Sequence, residues 1–208
     1  MSTNKALLLV DLQNDFCPNG ALPVAEGDQV MTIANQLQPH FEHIIATKDW
    51  HPVNHISFAN NHQGHHLFDV ININGITQIL WPTHCVQQSR GSEFHPKLNI
   101  TAINKIIYKG TDKNIDSYSA FFDNAHLKST DLHDYLQSLQ ITDLYIMGLA
   151  TDYCVKFTAL DAIKLGYRVF VIQDGCRGVA NHPGDVEDAW TVMREAGVEL
   201  IDSSAITT

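Results

Sequence analysis

The sequence predicts an α/β fold: a mostly parallel sheet covered by helices on both faces. Two observations carry this expectation. Strand-like segments alternate with segments of helical periodicity along the whole chain. Several of the strand-like segments are uninterrupted apolar runs, which is how strands buried on both faces read.

The elements follow in order. Residues 5–11 read as a buried strand, and 28–39 as a helix with Val30, Ile33, Ala34 and Leu37 on one face. Residues 43–48 and 103–109 are the second and third strands. A helix over 129–140 has an N-cap candidate among Ser129, Thr130 and Asp131. The fourth strand, 143–149, leads into a helix from about Asp152 to Leu165 that Gly166 ends. A fifth strand over 167–173, a helix over 184–196 closed by Gly197 and a last strand over 198–201 complete the series. Residues 49–102 break the pattern, and an ordered stretch of that length without regular structure is usually functional.

Bulk properties narrow the class. The 208 residues fit one domain, 1–208, with a full core. Hydrophobic residues make up 44% and charged residues 17%, a globular balance. No apolar run is long enough to span a bilayer and no secretion signal is evident, so the reading is a cytoplasmic protein without a membrane segment. A net charge of −10 argues against a nucleic-acid surface. Homo-oligomerisation stays open. The four cysteines, Cys17, Cys85, Cys154 and Cys176, form no CxxC pair or disulfide framework.

Ligands of open parallel sheets bind outside the carboxyl ends of the strands. Those ends carry Asp11, then Asp49 and His51, then Lys109, then the turn Ala150–Thr151–Asp152–Tyr153–Cys154. Four strands thus deliver ionisable or nucleophilic groups to one edge. Cys154 lies where a strand turns into a helix, a place that favours a thiolate. Asp11 is the base candidate and Lys109 a group to orient it, against bland readings as a loop anchor and a solvated lysine. Asp49 and His51, two apart in extended chain, face the same way and begin a site for Zn, Fe or Mn. Seven of the twelve histidines fall between His51 and His95, and spacing alone does not choose the third ligand among them.

Five segments then point to a family. VDLQNDFCPNGAL (10–22), KDWHPVNHISFA (48–59), LWPTHC (80–85), YKGTD (108–112) and GLATDYCV (148–155) resemble, in order, the nicotinamidase/pyrazinamidase branch of the isochorismatase-like hydrolases. The resemblance covers nearly the whole chain. It implies a three-layer, doubly wound sheet of six parallel strands and an Asp/Lys/Cys triad at Asp11, Lys109 and Cys154. It implies one divalent metal ion, Zn or Fe with Mn as a third candidate, on Asp49, His51 and His84, within a metal-binding insertion at about 49–102. Phe16 and Trp81 match residues that flank the substrate ring, Tyr118 one that closes the pocket, and Tyr153 a position that varies. His55 is displaced from the extra histidine ligand of some relatives and is left out of the set. The implied activity is hydrolysis of nicotinamide, or pyrazinamide, to the acid and ammonia through a thioester, in NAD salvage. The backbone N–H groups of Ala150 and Cys154 would form the oxyanion hole, with a cis peptide before Ala150.

Two rival readings compete with this one. Isochorismatase-type or ureido-acid hydrolases share the fold, but the isochorismatase type lacks the cysteine and the metal set. A non-catalytic ligand-binding module would leave Cys154 structural and inert.

Overall fold

The continuous apolar runs become the centre of the sheet. In the computed structural model, which describes residues 4–73 and 75–207, β1 (Lys5–Val10), α1 (Val30–Leu37) and β2 (His43–Asp49) come first. They are followed by β3 (Val70–Ile73), β4 (Ile76–Ile79), β5 (Lys105–Lys109), α2 (Leu132–Ser138) and β6 (Asp143–Leu149). Then come α3 (Lys156–Lys164), β7 (Arg168–Arg177), α4 (Asp185–Glu195), β8 (Glu199–Ile201) and the short α5 (Ser204–Thr207). Six strands pair in parallel in the order β5-β2-β1-β6-β7-β8. The chain builds outward from β1 to β5 on one side, then returns and builds from β6 to β8 on the other. That reversal places the switch point, and hence the crevice, beside β1 and β6.

Burial explains the patterns. Ala6 to Val10 of β1 are fully buried, whereas the edge strand β5 has a buried Ile107 and an exposed Tyr108. Helices cover the sheet, α1 and α3 both packing on β7 and α3 also on α4. On α1 the buried face is Val30, Met31, Ala34 and Leu37, with Ile33 only half-buried.

The structure corrects three expectations. The first two helices are shorter than expected, at Val30–Leu37 and Leu132–Ser138. Before α2, Asp131 makes no side-chain cap; Thr130 instead donates its hydroxyl to Ala120 O and accepts the Leu132 N–H. The long insertion contains an antiparallel pair, β3 with β4, where no regular structure was expected. The segment after β6 does not start as an α-helix. Residues Thr151–Val155 form a wide π-type turn, and the α-helix begins only at Lys156. Ala150 O accepts from both Tyr153 and Val155, and the Asp152 carboxylate accepts the N–H groups of Val179 and Ala180 from the loop after β7. Wide turns of this kind recur at functional sites.

Three backbone features precede this turn. Gly148 has φ +131°, and a Cβ there would stand 2.2 Å from Val10 O. Only glycine lets β6 approach β1 this closely at the end of the strand pair. The β6–β7 register also shifts between Ile146 and Gly148. The Leu149–Ala150 peptide is cis.

Candidate active site

The carboxyl ends of β1, β2, β5 and β6 bring Asp11, Asp49, Lys109 and Cys154 together. The Lys109 ammonium is the hub: it lies 2.8 Å from Asp11 Oδ2, 2.9 Å from Asp49 Oδ1 and 3.3 Å from Cys154 Sγ. It also donates to Ser117 O at 3.1 Å. Burial opposes its charge, but Asp11 and Asp49 outweigh burial and hold its pKa well above the usual lysine range. Lys109 is therefore a fixed cation.

Asp11 is fully buried and leaves β1 with φ +50°. Burial raises its pKa against the pull of Lys109. Burial also pushes the Cys154 thiol well above its usual range, Lys109 being the main opposing influence. Burial of the sulfur works against the thiolate expected from the strand-to-helix turn. A wide turn supplies a weak dipole, and a nearly buried sulfur loses its hydration, so the thiol needs a base at hand.

Beside this group lies a second cluster. His51 Nε2 and His84 Nε2 stand 2.8 and 3.2 Å from the same oxygen, Asp49 Oδ2. Each ring donates its Nδ1–H to a backbone carbonyl, His51 to Gly110 O at 2.9 Å and His84 to Pro82 O at 2.7 Å. Those carbonyl partners fix the tautomers and turn both Nε2 lone pairs toward Asp49, the second-shell arrangement of metal-binding histidines. His51 crosses to the other ligand by pairing with Val86 and Cys85, which is how residues distant in sequence meet. Gly110 (φ +63°) makes room for the ring, since a Cβ there would sit 2.4 Å from His51 Cε1.

His55 is buried behind His51, with ring centroids 4.1 Å apart. Its nitrogens are held by Ser57 Oγ at 2.7 Å and Ile115 O at 3.3 Å. Burial, with help from His51, lowers its pKa to about 4, so it is neutral. His65 and His66 lie on the surface near Asp69.

The cleft over Cys154 is lined by Phe16, Leu22, Asp49, Trp81, His84, Asp116, Tyr118, Ala150, Tyr153, Cys154 and Val179. Trp81 donates its indole N–H to Tyr118 OH at 3.1 Å and packs edge-on against Tyr153 at 4.8 Å. Phe16 meets His84 edge-on at 5.5 Å on another wall. The aromatic residues expected around a substrate ring therefore line one cleft with the cysteine and two of the cluster's side chains. Leu22, Asp116 and Val179 join them, and sequence reasoning missed all three. Leu22 lies at the end of the 10–22 segment, whereas Asp116 and Val179 sit in loops with no periodic signal. Asp116 is nearly fully buried and accepts from Gln78 at 3.2 Å and from the Ser117 N–H.

A buried thiol with a carboxylate and an ammonium, at the carboxyl edge of a doubly wound sheet, has the composition of a cysteine-hydrolase site. A model of the isochorismatase domain matches residues 5–205, and the chain belongs to that family. It is 52% identical over 200 residues to the nicotinamidase of Escherichia coli strain K12, covering 94% of this chain and 93% of that protein. The solved nicotinamidase/pyrazinamidase of Acinetobacter baumanii superposes with a TM-score of 0.95 at 46% identity, covering 98% of each chain. A pyrazinamidase of Pyrococcus horikoshii in complex with zinc superposes with a TM-score of 0.78 at 37% identity, covering 96% of this chain and 99% of that one.

Proposed function

We propose that this chain is a nicotinamidase, a cysteine amidohydrolase that converts nicotinamide, and pyrazinamide, to the acid and ammonia. The observation that carries the reading is the Lys109 ammonium, within 3.3 Å of Cys154 Sγ and in ion pairs with Asp11 and Asp49. It ties the nucleophile and its base to the neighbouring cluster in one cleft. Asp11 takes the thiol proton as Cys154 attacks the carboxamide carbon. The N–H groups of Ala150 and Cys154 at the turn receive the developing oxyanion. Asp11 returns its proton to the departing nitrogen, the C–N bond breaks and ammonia leaves. Water, deprotonated by Asp11, then opens the thioester and frees Cys154. Phe16, Trp81, Tyr118 and Tyr153 hold the ring, and residues 1–208 act as one domain with 49–102 as its metal-binding insertion.

The second cluster fits one divalent cation, Zn or Fe, with Mn as a third candidate. Asp49, His51 and His84 are all buried and each offers one ligand atom, and these atoms lie within 4.8 Å of one another. Asp49, His51 and His84 would hold it. Bound there, the ion supplies a Lewis-acid position for a ring nitrogen. His84→Ala should lose the ion, read as metal content after dialysis, with secondary structure unchanged; full occupancy in that variant would move the third ligand elsewhere. Among the described residues no helix is long and apolar enough to cross a membrane, and we place the protein in the cytoplasm acting on a small molecule in NAD salvage.

The test is ammonia release from nicotinamide by purified, metal-replete protein, with benzamide alongside. Benzamide has nearly the same shape but no ring nitrogen. Sites built around a specific polar group reject analogues lacking it by about 10⁴-fold. A kcat/KM for benzamide lower by at least about 10³ is expected on that principle. No ammonia from nicotinamide would overturn the reading, and equal rates for both amides would overturn ring-nitrogen recognition.

A further inference from the structure

The proposed base is held by a residue that belongs to no motif. Thr47, on β2 beside the innermost strand β1, is fully buried. Its hydroxyl accepts the Asp11 N–H at 3.0 Å and donates to Asp11 Oδ1 at 2.6 Å. One hydroxyl therefore bridges the backbone and the carboxylate of the same residue, closing a ring that leaves the Asp11 side chain a single orientation. The bridge also makes the two carboxylate oxygens unequal. Oδ1 is committed to the hydroxyl, and Oδ2 receives the Lys109 ion pair at 2.8 Å, with no aligned hydrogen-bond donor of its own.

We propose that Thr47 is a positioning residue that assigns the proton-carrying role to Asp11 Oδ2. The inference rests on the reading of Asp11 as the base. A hydroxyl suits the task because its bond to Oδ1 survives both states of the cycle. When Asp11 is ionised, Thr47 donates to the anion. When the thiol proton has moved to Oδ2, Oδ1 is the carbonyl oxygen of the acid and still accepts the same bond. The proton that leaves Cys154 Sγ is the one that later reaches the departing nitrogen, so nothing is gained or lost at Asp11 over acylation. Without the bridge, the carboxylate can turn about its side-chain torsions, and either oxygen can present itself to Lys109 and to the thiol. Misplacement of a reacting group by about 1 Å can cost about 10²-fold in rate.

The test compares Thr47→Val, which keeps the shape and removes both bonds, with Thr47→Ser, which keeps the hydroxyl. For Thr47→Val, kcat on nicotinamide should fall about 10- to 100-fold, with KM within about threefold and metal content unchanged. Thr47→Ser should stay within about threefold of the starting kcat on the same geometric grounds. A second readout uses no substrate: the rate at which iodoacetamide alkylates Cys154, located by peptide mass mapping, should fall at least about fivefold in Thr47→Val and recover in Thr47→Ser. That readout separates the inference from the choice of substrate. Failure of the wild-type protein to hydrolyse nicotinamide would sink the nicotinamidase reading, yet the alkylation comparison would still judge Thr47. If Thr47→Val does not fold, Thr47→Ala with the same two measurements takes its place. Unchanged kcat and alkylation in the folded variant, or Thr47→Ser as impaired as Thr47→Val, would overturn the proposal.

Discussion

Cys154→Ala is expected to reduce ammonia release by at least about 10⁴-fold, as loss of a covalent nucleophile does elsewhere. The variant should still fold and keep its metal. Cys154 lies at the base of the cleft, and losing one sulfur removes little packing, about 1 kcal/mol or less. Lys109 loses only one neighbour and keeps Asp11, Asp49 and Ser117 O. Quenched wild-type protein should carry an acyl adduct on Cys154 by mass spectrometry. Cys17, Cys85 and Cys176 serve as internal controls. Burial pushes Cys17 to about 11, Cys176 to about 12 and Cys85 well above the usual thiol range. Cys154 is raised as well, so acidity does not distinguish it. Its place in the cleft against the Lys109 ammonium does. An adduct on another cysteine, with activity kept in Cys154→Ala, would remove Cys154 from the mechanism.

Asp11→Asn should be the second largest loss, about 10²- to 10⁴-fold in kcat, the range contributed by a positioned general base. The amide is the same size and its oxygen can still accept from Thr47. What disappears is the acceptor for a thiol proton that burial holds in place. Metal content should stay at the wild-type level, because Asp49, His51 and His84 are untouched, and this opposes the pattern expected of His84→Ala. Retention of more than about a tenth of kcat would mean that another group takes the proton.

The six strands were readable because β1, β2, β6 and β7 are apolar runs buried on both faces, and short runs of that kind between turn residues mark the strands of a covered parallel sheet. The π-type turn was not, since residues 151–155 carry an ordinary helical pattern. Its cause lies in Asp152 reaching the N–H groups of Val179 and Ala180, a contact made far along the chain. The pair β3 and β4 did leave a trace, Asn-Gly at 74–75 between two isoleucine-bearing runs, but four-residue strands are short enough to be passed over. At the site, Asp11, Asp49, Lys109 and Cys154 could be gathered from strand ends alone. His84 needed the family resemblance, since the pairings of His51 with Val86 and of Phe58 with Trp81 are what bring it across. Thr47 and Gly110 had no signal of their own. A threonine among aliphatics in a strand, or a glycine after a lysine, looks ordinary until the Asp11 carboxylate and the His51 ring are seen against them.

The delivery of the reacting groups from the ends of β1, β2, β5 and β6 has a consequence for heating and denaturant. Proteins open in pieces of unequal stability, and loops usually open before the sheet. Here the groups of the proposed reaction hang on strands that include the innermost pair of the sheet, with no hinge between them and the core. The walls of the cleft are built differently: Trp81 and His84 come from the insertion, and Asp116 and Tyr118 from a loop, none of them on the sheet. Turnover should therefore fade before the sheet unfolds, while the amide protons of β1 behind Asp11 exchange as slowly as any in the molecule.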